Sequence, residues 1–142
     1  MIYKRCGSCG RKIPAGEICP CKKDRQKQYK RLRMKDVYEK QRQSFYASKS
    51  WIKCRDDVKC HQFNLDLIEW FKGNDDVIAE TYHHIVTIKD DWSLRLCKDN
   101  IIGLTQKNHL MVHELMEESE EKKIEVQNYL KNILKEFEKY FY

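Results

Sequence analysis

Nowhere in the 142 residues does an apolar run approach the ~20 residues that a membrane span requires, and the opening Met1-Ile-Tyr-Lys-Arg-Cys6 lacks the apolar centre of a secretion signal. These absences predict a cytoplasmic protein that does not engage a membrane. Glycine (5) and proline (2) are scarce against 41% hydrophobic and 35% charged residues, which excludes collagen-like, disordered and loop-rich chains. The length suits one domain with an appendage. No internal repeat or low-complexity tract is present.

Charge is unevenly spread. Residues 1–60 carry 18 Lys/Arg against 6 Asp/Glu, a net of +12, and residues 61–142 carry 10 against 16, a net of −6. A polycationic half suits a phosphate backbone, where each neutralised phosphate releases counterions; the alternative is an ordinary solvated surface. Seven cysteines without a secretion signal are expected as thiols, so their spacing decides their use. Cys6-x-x-Cys9 and Cys19-x-Cys21 fall in a turn-rich stretch holding three of the five glycines and both prolines. Four thiolates in a piece too short to bury a core predict a tetrahedral zinc knuckle. The alternatives are free thiols or a docking module for a protein partner. Cys54, Cys60 and Cys97 have no partner spacing and read as small buried or incidental thiols.

From Lys22 to Tyr46 good helix formers dominate without Gly or Pro, predicting one exposed basic helix. Ser48 or Ser50 can cap a short helix through Trp51 and Ile52. The patch Phe63 to Phe71 reads as a helix, ended by Gly73-Asn74. Ala79 to Ile88 is β-branched and aromatic and reads as a strand or hairpin arm, 90–100 as a polar loop, and 100–104 as a second extended piece. Thr105 can cap a helix to about Glu118. Lys122 to Phe141 reads as a last helix, with Val126, Leu130, Ile133, Phe137 and Phe141 along one stripe.

Four of the five histidines belong to one pattern: His83-His84 on the predicted strand, then His109 and His113 one helical turn apart. Residues four apart project from the same face, so His109 and His113 can grip one ion while His83 or His84 closes the site. Three imidazoles and an exchangeable fourth position form an open, catalytic coordination set. The fifth, His61, reads as a surface or packing residue. Neighbouring side chains on a regular strand point to opposite faces, so the doubled histidine predicts one metal ligand and one neighbour acting where the strand distorts or ends.

The runs Ala79-Glu-Thr-Tyr-His-His-Ile85, Asp91-Trp-Ser-Leu-Arg95, Asp99-Asn-Ile-Ile-Gly-Leu104, Asn108-His109 and His113 together resemble the HNH endonucleases, with their ββα-metal (His-Me finger) core, over roughly residues 45–115. The doubled histidine with His-x-x-x-His also looks like the active site of bacteriocin-type members. The resemblance implies that His84 is the general base acting on the attacking water, and that His83, His109 and His113 hold one divalent metal ion (Zn, Ni, Mn or Mg). It also implies that Asn100 holds the loop and the base in register, and that the products carry a 5′ phosphate and a 3′ hydroxyl. Arg95 is a candidate phosphate clamp, or else a surface ion pair with Asp90, Asp91 or Asp99.

Many relatives brace the core with two Cys-x-x-Cys pairs. The later positions here are Thr105 and Asn108, so that zinc is expected to be absent, and the patch Phe63–Phe71 and the last helix are the candidates for the bracing. Chains of this look are similar to phage- and prophage-borne members, often encoded beside packaging genes, which would place the protein in the host cytoplasm with packaging proteins as candidate partners. The expected fold is α+β and mostly helical: a zinc knuckle over 1–22, a basic helical arm over 23–47, an HNH core over 48–118 and an amphipathic helix over 119–142. The expected function is metal-dependent hydrolysis of DNA, in duplex form and with little sequence preference. The alternatives are a non-catalytic zinc-knuckle nucleic-acid-binding adaptor and an RNA-cleaving enzyme of the same type.

Overall fold

A computed structural model describes residues 2–142, with the side chains of 23 and 33–35 left aside. It is α+β and mostly helical, with two two-stranded antiparallel sheets. The chain divides into two compact units, residues 1–45 and 46–142. The expected knuckle and arm share the first unit, and the last helix shares the second with the 48–118 segment.

In the first unit β1 (Tyr3–Arg5) pairs with β2 (Lys12–Pro14), Lys4 opposite Ile13. Gly10, with φ of 73°, makes the turn that returns the chain after Cys9. The predicted single basic helix is two: α1 (Pro20–Lys35) and α2 (Val37–Tyr46). Asp36 separates them because its backbone is extended (φ −78°, ψ 107°) and its carboxylate accepts from the backbone N–H of Tyr38 at 3.0 Å and Glu39 at 3.4 Å, the work of an N-cap. Helix propensity alone did not expose this break, since a single Asp is tolerated inside helices.

The second unit opens with α3 (Lys49–His61), longer than the sequence suggested and capped by Ser48, whose hydroxyl accepts from Trp51 N–H at 3.2 Å. The patch after it is not one helix. Phe63 and Asn64 take left-handed backbone (φ 53° and 55°), Leu65 bridges Ile78, and only Leu67–Phe71 forms a short helix, α4. β3 is confined to Thr81–His84 and pairs with β4 (Ile101–Leu104), His83 opposite Ile102 and His84 opposite Ile101. The expected polar loop between them contains two single-turn 3-10 helices, Trp92–Leu94 and Lys98–Asn100. Thr105 caps α5 (Gln106–Glu118) and Ser119 caps α6 (Glu120–Phe141), each hydroxyl accepting an N–H three residues on.

One apolar core joins β4, α4, α5 and α6. Leu67, Ile85, Ile102, Leu104, Leu130, Ile133 and Phe137 are fully buried there. The α6 stripe packs as its spacing predicts, except that Phe141 stays 39% exposed against Phe137 and Tyr140. Each fully buried large side chain contributes roughly 2 kcal/mol of transfer free energy.

Two buried polar side chains brace this core. Gln62 completes the outer edge of β4: its amide donates to Ile101 O and accepts from Gly103 N–H, both at 2.9 Å. Asp66, with no exposure, caps α4 through Glu69 N–H at 3.0 Å. Its second oxygen accepts from Thr105 N–H at 2.6 Å and Asn108 Nδ2 at 2.8 Å. The corner between β4 and α5 is thereby tied to α4 by a carboxylate at Thr105 and Asn108.

Candidate metal centre and histidine site

In the amino-terminal unit all four predicted cysteines converge. Cys6 Sγ lies 3.6 Å from Cys21 Sγ, and Cys9 Sγ 3.6 Å from Cys19 Sγ, with the four sulfurs within 4.8 Å of one another. A tetrahedral ion with Zn–S bonds of about 2.3 Å sets sulfurs about 3.8 Å apart, so the cluster fits a metal ion such as zinc. The backbone N–H groups of Cys9 and Ser8 draw the Cys6 thiol down to about 6, which favours the thiolate. Sharing hydrogen bonds with Cys19, Cys9 and Cys6 pushes Cys21 up to about 12. Four sulfurs this close cannot all ionise without a cation among them, which is the chemistry of a metal site. Cys54 is buried, Cys97 half-buried and Cys60 exposed, all outside this cluster.

The second unit gathers three imidazoles. His83 projects from β3, and His109 and His113 from one face of α5. The ring centroids of His83 lie 5.3 and 5.0 Å from those of His109 and His113, which are 4.4 Å apart. His109 Nε2 and His113 Nε2 approach to 2.9 Å, and one nitrogen from each of the three rings lies within 4.8 Å of the other two. His83 is 4% exposed, and its Nε2 is buried without a hydrogen-bond partner among the described residues. Such an orphan costs about 1–3 kcal/mol unless something accepts its lone pair or its proton.

Burial, reinforced by His113 and His109, pushes His83 down to about 3, and burial followed by His113 lowers His109. Neutral imidazoles are the form that ligates a metal. A cation bound by nitrogens at about 2.1 Å would place tetrahedral neighbours about 3.4 Å apart, so the donor set fits one ion with small ring adjustments.

His84, the last residue of β3, faces elsewhere. Its Nε2 meets Arg95 O at 2.9 Å; a carbonyl only accepts, so Nε2 carries the hydrogen and Nδ1 the basic lone pair. The Tyr46 hydroxyl stands 3.4 Å from Nδ1, long for such a contact, and the Trp51 ring packs on the imidazole at 4.9 Å between centroids with planes 30° apart. Burial lowers the His84 pKa, opposed by the bond to Arg95, so the ring is neutral at neutral pH. Sequence reasoning passed over Tyr46 and Trp51. The aromatics flanking the Ser48 cap were the available signal, but nothing in their spacing tied them to a histidine 38 residues on.

Asn100 clasps the chain beyond His84. Its Oδ1 accepts from Val86 N–H at 2.8 Å, its Nδ2 donates to Val86 O at 2.9 Å, and its backbone O accepts from Ile85 N–H at 2.8 Å. Arg95 donates from its guanidinium to Trp92 O at 3.1 Å and lies over the Trp92 ring at 5.1 Å. Among the described residues it forms no ion pair with Asp90, Asp91 or Asp99; Asp90 pairs instead with Lys123, and Asp91 accepts from Ser93. His61 is half exposed, bonded to Glu138 and stacked on Tyr142.

Among the described residues no helix is long and apolar enough to cross a membrane. Comparison of the chain with family models, with curated proteins and with solved structures returns no match.

Proposed function

We propose that this chain is a metal-dependent endonuclease of the HNH type, hydrolysing phosphodiester bonds of duplex DNA, with the four-cysteine unit and its basic helices as the holding arm. The observation that carries the reading is the division of labour among the histidines. Three rings converge, one of them, His83, bringing a buried orphan nitrogen, while the fourth is fixed at Nε2 by a backbone carbonyl with its basic Nδ1 left on the opposite edge of the ring. A purely structural ion needs only the first set. The succession β3, β4, α5 and the clasp of Asn100 on Val86 support the same reading.

In this mechanism His83, His109 and His113 hold the ion. When bound, a divalent cation supplies charge stabilisation to the phosphoryl oxygens in the transition state and to the departing oxygen. His84 Nδ1 takes the proton of a water whose oxygen forms the new bond to phosphorus. The bond from phosphorus to the 3′ oxygen breaks, and that oxygen collects a proton from solvent, leaving a 3′ hydroxyl and a 5′ phosphate. The Arg95 carbonyl keeps His84 in the required tautomer and steadies the imidazolium as it forms. Asn100 holds the chain after His84 so that this aim is kept. Arg95 reaches a phosphate oxygen by exchanging Trp92 O for it. Duplex DNA is the partner in this reading, and the cytoplasm of a phage-carrying host the place of action.

The test is nicking of supercoiled plasmid with Mg, Mn, Ni and Zn. His84→Ala keeps metal binding and loses about 10²–10⁴ in rate, the usual worth of a general base. His109→Ala loses metal and cutting together. Metal bound with the plasmid intact under all four ions makes the histidine site structural and the chain an adaptor; cleavage confined to RNA changes the substrate; full cutting by His84→Ala removes the base.

A further inference from the structure

Trp51, Arg55 and Lys59 stand at four-residue steps on α3 and so form one stripe, each step rising about 6 Å. The head of the stripe is the tryptophan that packs on His84. The stripe lines a polar cleft of about 380 Å³, whose opposite wall is Glu80, Thr81 and Tyr82 at the start of β3 and whose near end is Tyr46. Tyr82 and His84 lie two residues apart on the strand and share a face. The cleft therefore runs along the side of β3 that carries the proposed base, while the metal-ligating set lies on the side facing α5.

We infer that this cleft is the track for the sugar–phosphate backbone beyond the reacting phosphate, with Arg55 and Lys59 contacting successive phosphates of one strand. The inference rests on the nuclease reading and assigns its substrate-positioning residues. The ligand is a polyanion read without regard to base, because the cleft is predominantly polar and its helix wall carries a guanidinium and an ammonium against the single carboxylate of Asp56. Arg55 is held ready: its Nε and one terminal nitrogen engage a single oxygen of Asp56 at 3.2 and 3.1 Å, in a half-exposed pair weak enough for a phosphate to share or displace. Glu80 on the strand wall repels the same polyanion and presses it toward α3.

The larger cavity between α3 and α6, about 580 Å³, does not offer this. Its Lys98, Lys131, Lys135 and His61 share the lining with Asp57, Asp99 and Glu138, and it touches none of Tyr46, Trp51 and Arg95 beside the proposed base.

The experiment compares full-length wild type, Arg55→Ala/Lys59→Ala and a Lys135→Ala control. Binding to a short synthetic DNA duplex is followed by anisotropy across a salt series, and plasmid nicking gives kcat and KM. The double variant should flatten the slope of log affinity against log salt by about 2 and raise KM about tenfold, with kcat within about twofold; Lys135→Ala should change neither. Unchanged tryptophan-detected unfolding shows that the fold survives. A wild type that nicks, beside a double variant with wild-type slope and KM, overturns the track and leaves the nuclease standing. A fall in kcat alone also overturns it. A flattened slope in a protein that leaves plasmid intact under all four metal ions upholds the track and refutes the nuclease.

Discussion

Acid should unfold the metal-free histidine unit through one residue more than any other. His83 is 4% exposed, and burial with two neighbouring imidazoles takes it from 6.5 to about 3. The unfolded chain therefore binds a proton there more readily than the folded one. Stability from this residue is intact above pH about 6.5, falls as pH drops and stops falling near pH 3, where the folded ring protonates too. The gap of about 3.5 pH units is worth about 5 kcal/mol in full, and the part lost between pH 7 and pH 4 is about 3 kcal/mol. His83→Leu removes the titration and the orphan Nε2 together, so its stability at pH 7 should lie within about 1 kcal/mol of wild type. Urea unfolding in EDTA at pH 7 and pH 4 reads the difference, because Trp51, Trp70 and Trp92 all lie in the second unit and report on it alone. Wild type should lose about 3 kcal/mol more than His83→Leu over the interval, since every other acid-sensitive group is common to both. Equal losses would show that His83 is not held neutral in the interior, and the orphan-nitrogen argument for a bound cation would go with it.

Three further outcomes follow from the same contacts. Asp66→Ala strands Glu69 N–H, Thr105 N–H and one bond of Asn108 Nδ2, and should cost about 3–5 kcal/mol by urea unfolding, against under about 1 kcal/mol for an exposed carboxylate such as Glu117→Ala. Gly103→Ala places a methyl 2.9 Å from Leu65 O and 3.1 Å from both the Ala79 methyl and the Tyr82 ring, so backbone must move and about 1–3 kcal/mol should be lost; wild-type stability there would mean that the β4 edge yields freely. Metal analysis of Cys9→Ser should show one zinc fewer than wild type with the tryptophan-reported unfolding unchanged, because the cysteine cluster lies in the other unit.

What the sequence made legible is what repeats or caps. The α6 stripe, the Thr105 cap and the one-turn spacing of His109 and His113 are local patterns, each decided by residues within a few positions, and all three stand in the structure, the stripe as far as Phe137. The break at Asp36 and the left-handed Phe63–Asn64 turn were not legible, because each is a backbone choice made against the local propensity: good helix formers flank the first and an apolar run spans the second. The polar supports were hidden for a different reason. Gln62 and Asp66 act on partners about forty residues away, and in sequence each is one more polar residue beside an apolar patch. The histidines fall between these cases. Their spacing announces that three rings can meet, but the separate standing of His84 depends on a carbonyl at Arg95 and aromatics at Tyr46 and Trp51, none of which the doubled histidine names. Strand alternation forced the outcome once β3 ended at His84: the first ring turns toward His109 and His113 on α5, the second toward α3. On that side, side chains already present set its tautomer and form the head of a cationic stripe, so the residue that resemblance singled out as a base and the cleft beside it are consequences of one strand's parity.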